Sequence, residues 1–61
     1  MRSYRCCLFD EKGRVKATVD LYLKSDDAAR TLAGDLLKRS ECALAEVWKG
    51  SDMVFLTGRA E

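Results

Sequence analysis

The sequence predicts an α+β domain of order ββαββ, a four-stranded sheet with one helix packed on one face. Three observations carry this prediction. Residues 15–23 alternate apolar and polar side chains, residues 26–40 repeat apolar side chains at helical spacing, and two glycine-bearing turns each separate a pair of strand-like runs.

The first run, 4–9 (Tyr-Arg-Cys-Cys-Leu-Phe), is short and mostly apolar, as expected of a strand. Asp10-Glu11-Lys12-Gly13 follows as a hairpin loop: Asp favours turning at its start, and Gly supplies a positive φ at its end. In the second strand, 15–23, Val15, Ala17, Val19, Leu21 and Leu23 share one face, and Lys16, Thr18, Asp20 and Tyr22 share the other, wet face. Ser25-Asp26-Asp27 marks a helix start, with capping oxygens and carboxylates suited to the positive end of the macrodipole. Ala29, Leu32, Ala33, Leu36 and Leu37 then form one apolar stripe, and Lys38 and Arg39 close the last turn. Gly34 interrupts this helix. It is either a tolerated defect, at a cost of about 1 kcal/mol relative to Ala, or a point of close approach by another backbone.

Val47, Trp48 and the turn Lys49-Gly50-Ser51-Asp52 place a third strand at 43–48, and the uninterrupted apolar run after the turn places a fourth at 53–57. Residues 58–61 are expected to fray. Strands apolar on both faces belong in the centre of a sheet. The first and fourth runs have that character, so the expected strand order is 2-1-4-3, the β-grasp-like arrangement.

Sixty-one residues make one domain, 1–61, with little surface to bury, and such chains commonly gain stability from disulfides, a metal or association. Cys6, Cys7 and Cys42 are odd in number, and neighbouring Cys6 and Cys7 point to opposite sides of a strand. With no apolar leader at the N-terminus, free thiols in a reducing cytoplasm are the expectation. Cys42, just past the helix, is expected to be more exposed than the other two. The chain lacks histidine and paired cysteine spacings, so no metal and no cofactor is expected. No apolar stretch approaches the 18 or so residues of a membrane span, and a net charge of +1 is far from the strongly basic balance of a nucleic-acid module.

Catalysis is not expected either. There is no histidine to serve as base for a cysteine, the carboxylates fall in a turn and a helix cap, and the four glycines are isolated. The basic residues Lys12, Arg14, Lys16 and Lys24, with Tyr22 as a stacking surface, offer an alternative reading as a weak nucleic-acid contact. A lysine-defended edge strand explains the same residues. The main expectation follows from one helix covering only one side of four strands. Phe9, Trp48, Val54 and Leu56 are the candidate interface on the other side, for a homodimer or an unidentified protein partner.

The series Tyr4-Arg5-x-x-Leu8-Phe9-Asp10-x-x-Gly13-Arg14-Val15, the acid-led helix and Glu46-Val47-Trp48-x-Gly50 together resemble a group of short bacterial proteins common in rhizobium-like bacteria. The likeness runs from about Tyr4 to Phe55 and lies in turn and core residues. It implies a bacterial, cytoplasmic chain and no particular activity. The Cys6-Cys7 pair falls outside the shared pattern.

Overall fold

The computed structural model describes residues 1–58. The elements run β1 (Arg2–Phe9), β2 (Val15–Leu23), α1 (Asp26–Arg39), β3 (Leu44–Lys49) and β4 (Asp52–Gly58), so the ββαββ order holds. The expected fraying at 59–61 lies outside the described residues, while Gly58 ends β4.

All strand pairings are antiparallel and the order is β2-β1-β3-β4. This corrects the expected 2-1-4-3. β1 and β3 are the central strands, and β4, apolar throughout its middle, is an edge. A bulge reconciles its apolar run with an edge position: Val47 pairs with Phe55 but Trp48 pairs with Met53, leaving Val54 as the extra residue. Val54 and Phe55 therefore both pack against the core. Met53 and Leu56 both remain exposed. An apolar run that looks buried on two sides is here sorted between a core and an open face.

A second bulge breaks the alternation of β2. Leu8 pairs with Ala17 but Phe9 pairs with Val15, which moves Val15 from the helix side to the face of Phe9. The predicted period holds from Ala17 to Leu23 only, and Val19, Leu21 and Leu23 are the β2 residues that reach the core.

The core lies between α1 and one sheet face and consists of Tyr4, Cys6, Leu8, Ala29, Ala33, Leu37, Cys42, Ala45 and Val47. Its alanines let the helix sit close to the strands. Arg30 closes the margin over β4, its guanidinium 5.0 Å from the centre of the Phe55 ring. Cys42 is buried, contrary to its expected exposure. The Ala43 N–H donates to the Phe9 carbonyl at 2.8 Å, which draws the chain after the helix down onto β1.

The helix is held at its start by Ser25, whose Oγ accepts from the Ala28 N–H, and by a junction at Asp26. The buried Tyr4 hydroxyl donates to Asp26 Oδ1 at 2.5 Å, with Lys49 Nζ at 3.7 Å and Arg2 at 3.9 Å from the same oxygen. One carboxylate thus ties α1 to β1 and β3. The Tyr4 hydrogen bond, then the charges of Lys49 and Arg2, hold Asp26 below the ordinary carboxylate range. The same bond, with burial, raises Tyr4.

The first hairpin turns on Asp10. Its Oδ1 accepts from the Lys12 and Arg14 N–H groups, both at 2.9 Å, and Oδ2 accepts from Arg14 Nε at 3.1 Å. Gly13 and Gly50 take the positive φ values, +83° and +64°, that their turns require. The Arg14 N–H is the main cause that lowers the Asp10 proton affinity.

Two predictions follow from these contacts. A Cβ at Gly34 would meet nothing within 4 Å, so the glycine is a tolerated defect. Gly34→Ala should raise stability in urea by up to about 1 kcal/mol, and a destabilised variant would reveal a close approach there. Asp10 and Asp26 both have depressed folded-state proton affinities. Their contribution is complete above the unfolded carboxylate value of about 3.9 and is lost as pH falls through the lower folded values. The urea midpoint should therefore drop below about pH 4, and less so in Asp26→Asn; an equal drop in that variant would remove Asp26 from the account.

Candidate functional site

Strand register assigns the residues on the sheet face away from the helix, because directly paired residues point to the same side. One end of the face carries Val15, Phe9 and Leu44; the next row carries Thr18, Cys7, Glu46 and Leu56. A third row carries Asp20, Arg5, Trp48 and Met53, and Tyr22 and Ser3 complete the far end. Val15, Tyr22, Met53 and Leu56 are 58%, 66%, 44% and 51% exposed, values typical of surface yet belonging to large apolar or aromatic side chains. Phe9, Leu44 and Trp48 are half-buried between neighbours on this face, and none of the three packs on the core.

Of the four residues expected at an interface, Phe9, Trp48 and Leu56 are brought together here. Val54 is not: as the extra residue of the β4 bulge, it packs toward the helix. Leu44 and Val15 take part and were not singled out from sequence; Met53, weighed there with Phe55 as the alternative to Val54 and Leu56, takes part as well. The bulges that expose Met53 and Val15 leave no mark in the apolar pattern itself.

Three charges interrupt the apolar surface. Arg5 Nε donates to Asp20 Oδ1 at 3.1 Å across the β1–β2 pair. Glu46 Oε1 accepts from the Trp48 indole N–H at 3.0 Å and has no ion-pair partner among the described residues. That bond fixes the indole plane over β3. Beside it, Ser3, Tyr4, Arg5, Asp20, Trp48 and Gly50 line an open concavity of about 510 Å³. Its lining includes the Trp48 indole and the Arg5–Asp20 ion pair.

The groups with shifted proton affinity are Asp10 in the hairpin loop, Asp26 at the helix junction, Tyr4, which joins that junction and borders the concavity, and Cys6 in the core. Burial, then the neighbouring Cys7 thiol, pushes Cys6 up, which keeps it protonated and unreactive. Cys7 stands on the open face, so the two thiols do point to opposite sides, and Arg5 shares its face with Cys7 and not with Cys6. Among the described residues no three His, Cys, Asp or Glu side chains converge on a metal-sized point, and no helix is long and apolar enough to cross a membrane.

The structure does not gather the alternative nucleic-acid residues. Lys12 and Arg14 belong to the hairpin loop, where Arg14 is bound to Asp10; Lys16 is the extra residue of the β2 bulge. Tyr22 and Lys24 sit at the opposite end of the same edge strand. These residues form a defended edge, and the carboxylates of Asp10 and Asp20 lie among them.

No family model, curated protein or solved structure matches the chain.

Burial orders the three thiols. In dilute folded protein one thiol per chain, Cys7, should react promptly with a disulfide reagent, and Cys6 and Cys42 only after denaturation. Equally fast reaction at Cys42 would contradict its burial in the core.

Proposed function

We propose that the protein is a non-catalytic interaction module that self-associates through the open face of its sheet. One observation carries the reading: the large apolar side chains Phe9, Leu44, Trp48, Met53 and Leu56 lie together on a face that no element among the described residues covers. Contiguous apolar surface of several hundred Å² generally marks a contact surface. A thin core of small side chains gains stability when a second layer is added.

The face also suits such a role in its detail. Aromatic and methionine side chains are enriched at interfaces, and here Trp48 is held in one orientation by Glu46. The charged groups on the face form an ion pair and an indole clasp, which bind and orient. Three free thiols fit a reducing compartment, and we place the chain in the cytoplasm on that ground.

Leu56 is the residue to change, because it is exposed and its loss should spare the fold. Leu56→Ser should weaken self-association by about ten-fold, the effect of a contact residue worth over 1 kcal/mol, in sedimentation velocity. Its urea midpoint, measured in dilute solution, should stay close to that of the parent. Unchanged association would rule out this face as the contact surface.

A further inference from the structure

We propose that the layer covering the open face is a second copy of this chain, docked about a two-fold axis that sets each Arg5 against the partner's Glu46. The proposal rests on self-association through this face and adds its register and its charge pairing.

Glu46 poses the problem that a partner must solve. It is a half-buried carboxylate on a central strand, surrounded on the face by Leu44, Trp48, Leu56 and Cys7. One of its oxygens takes the Trp48 indole N–H, and no cation answers its charge among the described residues. In the free chain water solvates it. Under an apolar partner it would be an unpaired buried charge, which is strongly unfavourable. A partner that fits must bring a cation to this point.

Arg5 is the cation the face already holds. Among the described residues only its Nε is engaged, on Asp20, which leaves the Nη groups as donors to a second carboxylate. Its guanidinium is largely exposed on the same face as Glu46, one residue pair along the sheet. Face and counter-face therefore carry the two halves of one ion pair, which is the self-complementarity a two-fold contact needs.

The register shows that both pairs can form at once. Arg5 pairs with Trp48, and Cys7 pairs with Glu46, so these four side chains mark the corners of one cell of the sheet. Arg5 and Glu46 occupy one diagonal; Cys7 and Trp48 occupy the other. A two-fold axis lying in the interface, across the midpoint of the Arg5–Glu46 diagonal, puts each Arg5 over the partner's Glu46. The same axis passes near Trp48 and Cys7, so the two indoles meet at the centre of the contact, with Leu44, Met53 and Leu56 around them. The axis runs oblique to the strands, and the two sheets cross at a steep angle, as in orthogonal sheet packing.

The contact is small. The molecule measures 32 × 19 × 14 Å. Two such broad sides crossed at a steep angle overlap over roughly 400 Å² in projection, less than the roughly 600–1,000 Å² per partner of standard interfaces, so the dimer is expected to be weak and concentration-dependent.

The test is a charge exchange between chains, read by sedimentation equilibrium with circular dichroism as the folding control. Arg5→Glu makes this pairing all acidic and Glu46→Arg makes it all basic, so each variant alone should associate roughly a hundred-fold more weakly than the parent. Mixed in equal amounts, the two should form a one-to-one heterodimer, since every like-charge contact becomes an ion pair. Should Glu46→Arg not fold, Glu46→Gln keeps an acceptor for the indole N–H, and its association should be weaker and less salt-sensitive than the parent's. If the parent dimerises but the single variants dimerise equally well, or the mixture stays monomeric, the Arg5–Glu46 register is wrong while the face remains the contact. If the parent does not associate at all, the self-association reading falls with it.

Discussion

One helix can shield only one face of a four-stranded sheet, and most features of this molecule follow from that inequality. The 14 residues of α1 cover the central strands and reach toward β4. They leave Ala17 of β2 exposed on the helix side. Among the described residues, no element covers the opposite face of the four strands. A chain of this order must either make that face polar or put it against something else. Here the face keeps three charged residues and an otherwise largely apolar lattice.

The distribution of side-chain size sharpens the point. The buried set contains three alanines and two cysteines, with Tyr4 and Val47 among its largest enclosed members. Small residues bring α1 close to the sheet and limit how much apolar surface the fold can remove from water. Specific contacts supplement that modest burial. Asp26 joins the helix to two strands through Tyr4, Lys49 and Arg2, and Asp10 closes the first hairpin with backbone and side-chain bonds at once. Both devices use a carboxylate held ionised by its partners, which makes the small fold sensitive to acid. The larger apolar side chains, Met53, Leu56, Phe9 and Trp48, stand on the other side of the sheet, where a second layer would bury them.

The element order was legible because each element has its own period or turn chemistry. Alternation marks β2, the spacing from Ala29 to Leu37 marks α1, and Gly13 and Gly50 mark the hairpins. Strand order was not legible, because a run apolar on both sides has two physical origins. In β1 it reflects a central strand; in β4 it reflects a bulge on an edge, with Val54 and Phe55 turned in and Met53 and Leu56 turned out. β3 is central even though Glu46 gives it a wetter composition. The placement of Phe9, Trp48 and Leu56 on one sheet face was legible. It failed at Val54 for the same reason as the strand order. Arg5 and Glu46 look like ordinary surface charges in sequence, and only the β1–β3 register brings them into one cell. Cys42 was misread because the Ala43–Phe9 hydrogen bond joins residues far apart in the chain.

The claim that most needs testing is that the uncovered face is where another copy sits. Light scattering coupled to gel filtration, under reducing conditions and over a wide concentration range, gives the mass in solution directly. The account predicts a mass that rises with concentration to twice the 6.9 kDa of the chain. A mass that stays at 6.9 kDa up to millimolar concentration would contradict it.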